Sequence, residues 1–159
     1  MFKKLLTTRS LCVSAVIAAL YAALTLLLAP ISYGPIQLRL SEALTMLPML
    51  LPQAIPGLFV GCLIANLYTG MLTDIIFGSL ATLLAAIGTY SLRRKPPLAA
   101  ACPVVCNGVI VGLVLQTTSN MPLLLTMGTV ALGEAGAVAI GMVLLSAIKR
   151  ARIDLTRPG

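Results

Sequence analysis

Only four acidic side chains occur in 159 residues, and three of them, Glu42, Asp74 and Glu134, stand inside long apolar runs. Arg39 does the same, as do the amides Gln37, Gln53, Asn66 and Asn107. An ionised group in apolar surroundings is costly unless it is paired, hydrogen-bonded or put to use. Most of these residues also have a purely structural reading. Arg39 and Glu42, three apart, would pair with each other on one helix. Asp74, following Thr73, would cap a helix, and Asn66 and Asn107 would bond between helices at under about 1–2 kcal/mol each. Glu134, between Gly133 and Gly136, has no cap role and no sequence-local cation. Three acids directed at one small volume call for a ligand that brings donors or positive charge.

The same inventory argues against catalysis. The chain has no histidine, no nucleophile elbow and no phosphate-binding Gly-x-x-x-x-Gly-Lys loop. An intramembrane aspartyl hydrolase needs a second aspartate within a span, and Asp154 lies in the basic tail. Cys12, Cys62, Cys102 and Cys106 sit in apolar stretches without Cys-x-x-Cys spacing, which reads as small buried hydrophobes rather than metal ligands. Neither an enzyme nor a bound cofactor or metal is expected, and active transport by this chain would need an external source of ATP hydrolysis.

The elements that must position these residues follow from composition. Hydrophobic residues make up 59% of the chain, charged residues 9%, and mean hydropathy is +1.05. A soluble domain carries roughly 25% charged residues, so the solvent of this one is lipid. Net charge is +7, and ten of the eleven basic residues fall in three groups: Lys3, Lys4 and Arg9; Arg93, Arg94 and Lys95; Lys149, Arg150, Arg152 and Arg157. Basic groups separated by apolar runs are the positive-inside pattern. A nucleic-acid surface would need a continuous basic stripe with stacking aromatics, and aromatics are 4% here. With all three groups on one side, the number of crossings between them is even: two in 96–148 and four in 10–92, at about 20 residues each. The expected fold is all-α, a polytopic six-helix transmembrane bundle forming one domain over 1–159, with both termini cytoplasmic. Its spans are approximately 11–29, 40–51, 55–72, 74–92, 98–116 and 122–148.

The first apolar run, 11–29, is longer than a signal-peptide core and is expected to be retained as a span. The second is too short to cross about 30 Å of hydrocarbon as an α-helix and is punctuated by Pro48, Pro52 and Pro56. It should be irregular and enclosed by its neighbours. In this topology the polar residues, Gln53 apart, lie in the outer half or near the midplane, which predicts a cavity open to the outside. Small-xxx-small stripes recur at Ala15, Ala19 and Ala23, at Gly57 and Gly61, at Gly108 and Gly112, and at Gly133, Ala137 and Gly141. Such stripes pack helices closely within a bundle; the alanine stripe is the best candidate for docking a partner protein instead.

Three runs carry a resemblance. Residues 29–45 (APISYGPIQLRLSEALT), 52–66 (PQAIPGLFVGCLIAN) and 74–86 (DIIFGSLATLLAA) resemble the QueT family, the queuosine-precursor substrate-binding (S) components of energy-coupling factor (ECF) transporters. Pro103–Asn107 and Gly133–Glu134 match more faintly, and the likeness extends from residue 15 to about 148. It implies a multi-pass protein of the bacterial plasma membrane with a substrate pocket near its outer face. It also implies a transmembrane coupling protein and two ATPase subunits as partners, the ATP being used by the latter. Ala15, Ala19 and Ala23 look like the docking motif on the first helix, and 30–38 like a lid over the substrate.

The implied substrate is a 7-deazaguanine, such as preQ1 or preQ0. A guanine-like edge presents two neighbouring N–H donors, which suit a carboxylate, and an aminomethyl group adds a cation. The substrate-binding set expected from this chemistry is Glu134, Glu42 and Asp74 as acids, Asn66 and Asn107 on the ring, and Arg39 or Gln37 toward the ring oxygen. Tyr33, Tyr68 and Phe77 are the candidates for stacking. Two other classes remain: the same architecture serving another vitamin or nucleobase, and a stand-alone proton-coupled carrier or channel.

Overall fold

A computed structural model describes residues 7–32, 38–119 and 122–151. Tyr33, Gln37 and the rest of 33–37, together with Asp154 and the tail beyond 151, therefore lie outside the described residues. The regular structure among the described residues is helical: α1 (Thr8–Leu27), a single turn (Ala29–Ser32), a 3-10 helix (Leu40–Met49), α2 (Ala54–Leu67), a π-helical turn (Asp74–Gly78) leading into α3 (Ser79–Ser91), α4 (Pro96–Ser119) and α5 (Leu123–Arg150). Among the described residues, four helices are long and apolar enough to cross a membrane: Thr8–Leu27, Asp74–Ser91, Pro96–Thr118 and Leu123–Arg150. The chain is a multi-pass membrane protein.

The two inner segments are shorter than hydropathy places them, each for a local reason. The α2 helix ends at Leu67 rather than near residue 72. There the Thr69 hydroxyl donates to the Asn66 carbonyl at 2.7 Å, and Gly70 turns the chain at φ 67°. The segment expected at 40–51 is a 3-10 helix over Leu40–Met49, with Pro48 inside it. Proline has no N–H to donate to an α-helical ladder, and the Thr45 hydroxyl donates to the Glu42 carbonyl at 2.5 Å. At about 2.0 Å per residue, ten 3-10 residues reach about 20 Å, where an α-helix would reach about 15 Å. The segment is enclosed, as expected: eight of its ten residues are buried.

Close packing sets the directions of the helices. A Cβ on Gly57 would stand 2.6 Å from the Ser14 carbonyl, and one on Gly61 would stand 2.8 Å from that of Ala18, so α1 and α2 run parallel in near contact. The 3-10 helix runs parallel to α5, with Leu38 beside Gly136 and the Ala43 carbonyl against Gly141. Asn66 meets Asp74 while Cys62 meets Thr82, so α2 and α3 are antiparallel. The α3–α4 and α4–α5 pairs are antiparallel too, tied by Thr89 to the Ala99 carbonyl at 3.2 Å and by Thr126 to the Gly112 carbonyl at 3.0 Å. These directions bring Arg9, the turn Arg93–Lys95 and Lys149–Arg150 to one end of the bundle, all of them exposed.

The core holds two apolar clusters that overlap along that axis. Ile17, Tyr21, Leu44, Leu51, Ala54, Leu58, Cys62 and Ala86 join α1, the 3-10 helix, α2 and α3. Met46, Met49, Ala99, Val138 and Leu145 join the 3-10 helix, α4 and α5 in an apolar layer on the basic-end side of Glu42, Asn107 and Glu134.

Candidate functional site

Glu42 occupies the first turn of the 3-10 helix and is 1% exposed. Its Oε1 accepts a hydrogen bond from the Tyr21 hydroxyl of α1 and another from Thr82 of α3 at 3.1 Å. Its Oε2 is buried without a partner. The Asn107 amide of α4 neighbours the carboxyl groups of both Glu42 and Glu134, which also act electrostatically on each other. Glu134 is 4% exposed, and its Oε1 has no partner.

Arg39, at the start of the 3-10 helix, lies 3.8 Å from the Asp74 carboxylate and acts electrostatically on Glu42 and Glu134 as well. Asp74 opens the π turn, and Asn66 of α2 holds that turn from the side, its Nδ2 donating to the Asp74 carbonyl at 2.9 Å. Gly78 makes room for this amide: a Cβ there would stand 2.9 Å from Asn66 Nδ2. A π turn places one extra residue in a helical turn and is frequent at functional sites.

The predicted residues Arg39, Glu42, Asp74, Glu134, Asn66 and Asn107 are thus all buried and linked around one locus. Gln37 lies outside the described residues, and Gln53 lies at the start of α2, where its carbonyl accepts from Ser14 at 2.8 Å. Of the stacking candidates, Tyr68 and Phe77 are exposed, 69% and 49%; Tyr33 is not among the described residues.

Two members escape the sequence reading. Tyr21 and Thr82 both touch Glu42, yet their hydroxyls count for little in a hydropathy pattern. A signal does exist for Tyr21: it sits in mid-helix, whereas membrane tyrosines concentrate at the interfaces. Ala15, Ala19 and Ala23 are exposed, and the buried face of α1 is instead Ile17, Ala18, Tyr21, Ala22 and Thr25.

Chemically the cluster is a surplus of acceptors. Three carboxylates meet one guanidinium, and the buried side-chain atoms without a hydrogen-bond partner include Glu42 Oε2, Asp74 Oδ1, Glu134 Oε1, Asn66 Oδ1 and Asn107 Oδ1. Buried acceptors left unfilled are costly. A ligand with several N–H donors, or a positive charge, would fill them.

No solved structure matches the chain. A curated relative, the queuosine precursor transporter QueT of Lactococcus lactis subsp. cremoris (strain MG1363), is 33% identical over 158 residues, covering 90% of this chain and 93% of the relative. The family model described as QueT transporter matches residues 11–150. The chain belongs to the QueT transporter family.

Proposed function

We propose that this protein is the substrate-capture component of an energy-coupling factor uptake transporter, and that it binds a queuosine precursor, a 7-deazaguanine, from the outer side of the bacterial plasma membrane. The observation that carries the reading is the buried acceptor surplus around Glu42, Asp74, Glu134, Asn66 and Asn107 in a chain of this family. A deazaguanine supplies N–H donors on two edges, and its aminomethyl form also supplies a cation to a site holding three acids and one arginine.

In this reading the helices cross six times, the 3-10 helix and α2 each completing one crossing, and the basic end is cytoplasmic. The acid cluster then lies in the outer half and near the midplane. The exposed Ala15, Ala19 and Ala23 supply the face that docks a transmembrane coupling protein, to which two ATPases bring the energy. The apolar layer of Met46, Met49, Ala99, Val138 and Leu145 stands between the acids and the basic end and disfavours a continuous proton relay.

The test is ligand binding to purified protein. Glu134→Gln and Glu42→Gln are each expected to weaken binding of the aminomethyl-7-deazaguanine by about 10- to 100-fold, the usual worth of a hydrogen bond to a charged group. Unchanged affinity in both variants would remove the site.

A further inference from the structure

Glu42 is fixed by its neighbours on separate elements. The Tyr21 hydroxyl from α1 and the Thr82 hydroxyl from α3 converge on the same oxygen, Oε1, while Oε2 stays buried and unpartnered. Tyr21 is fully buried, and its ring packs with the apolar cluster of Leu44, Leu58 and Cys62. Thr82 is held too, with its hydroxyl 3.3 Å from Cys62 Sγ. A carboxylate able to rotate here would turn toward Arg39 or the Asn107 amide, both among its neighbours. Two hydroxyl donors on one oxygen oppose that rotation.

We propose that Tyr21 and Thr82 are positioning residues that lock the Glu42 carboxylate, so that Oε2 alone is presented to a ligand N–H. Oε1 already accepts two hydrogen bonds, which fills its ordinary capacity. Glu42 therefore contributes a single acceptor rather than a two-pronged one. The proposal rests on Glu42 being a ligand-binding residue, as argued above.

A double-mutant cycle on affinity for the aminomethyl-7-deazaguanine, with the full chain purified in detergent, tests it. Tyr21→Phe and Thr82→Val keep the packing volume and remove the hydroxyl. Each is expected to weaken binding by about fivefold to tenfold, whereas Thr82→Ser should retain it. In a Glu42→Ala background, Tyr21→Phe and Thr82→Val should change affinity by less than about twofold, because the group they position is gone. A purely structural role would give the same loss in both backgrounds, and that result would overturn the proposal. So would wild-type affinity in Tyr21→Phe and Thr82→Val. If Glu42→Ala itself binds as wild type, the assignment of Glu42 to the ligand fails first. If Glu42→Ala is weakened while the hydroxyl variants are not, the positioning role alone fails.

Discussion

Asn66 shows how a single side chain can serve structure and site together. Its Nδ2 is committed to the Asp74 carbonyl, while its Oδ1 remains a buried acceptor. Asn66→Ala is expected to lower stability by about 1 kcal/mol, the usual scale of interhelical polar contacts in membranes, and to weaken ligand binding by releasing the π turn that carries Asp74. Thermal unfolding in detergent and ligand titration would separate the two effects; stability and affinity both equal to wild type would contradict this role. The acids and amides are legible in the sequence because polar atoms in apolar runs stand out. Thr82 is not, since a hydroxyl partner 40 residues away leaves no local pattern, and Tyr21 is legible only through its mid-helix position. The exposure of Tyr68 and Phe77 is equally hidden, because hydropathy does not say which residues of a helix meet lipid.

At the scale of elements, the long helices are readable and the short ones only in part. The expected spans 11–29, 98–116 and 122–148 correspond to Thr8–Leu27, Pro96–Ser119 and Leu123–Arg150. The 3-10 form of Leu40–Met49 is not readable beyond the irregularity that its prolines imply. The small-residue stripes look alike in sequence, yet they separate in space. Gly61 abuts the Ala18 carbonyl and Tyr21, whereas Ala19 is exposed on the opposite face of α1. Gly61→Leu should therefore destabilise the protein by about 1–3 kcal/mol or prevent folding, as overpacking does. Ala19→Leu should leave stability and ligand affinity near wild type and reduce co-purification of the coupling protein. Retained co-purification together with normal uptake in Ala19→Leu would remove the docking face.

For the whole molecule, the directions of the helices make one topological prediction. Arg94 and Tyr68 are both exposed and lie toward opposite ends of the bundle, Arg94 in the basic turn between α3 and α4 and Tyr68 just past the end of α2. The basic end faces the cytoplasm if the positive-inside bias orients this chain. With the native cysteines replaced by alanine or serine, Tyr68→Cys should react with a membrane-impermeant thiol reagent in intact cells. Arg94→Cys should react only after the membrane is opened. The acid cluster lies on the Tyr68 side of the apolar layer, so this labelling pattern also fixes the side from which a ligand enters. The reverse pattern would place Glu42 and Asp74 toward the cytoplasm and exclude capture from outside, whatever the affinity of the purified protein.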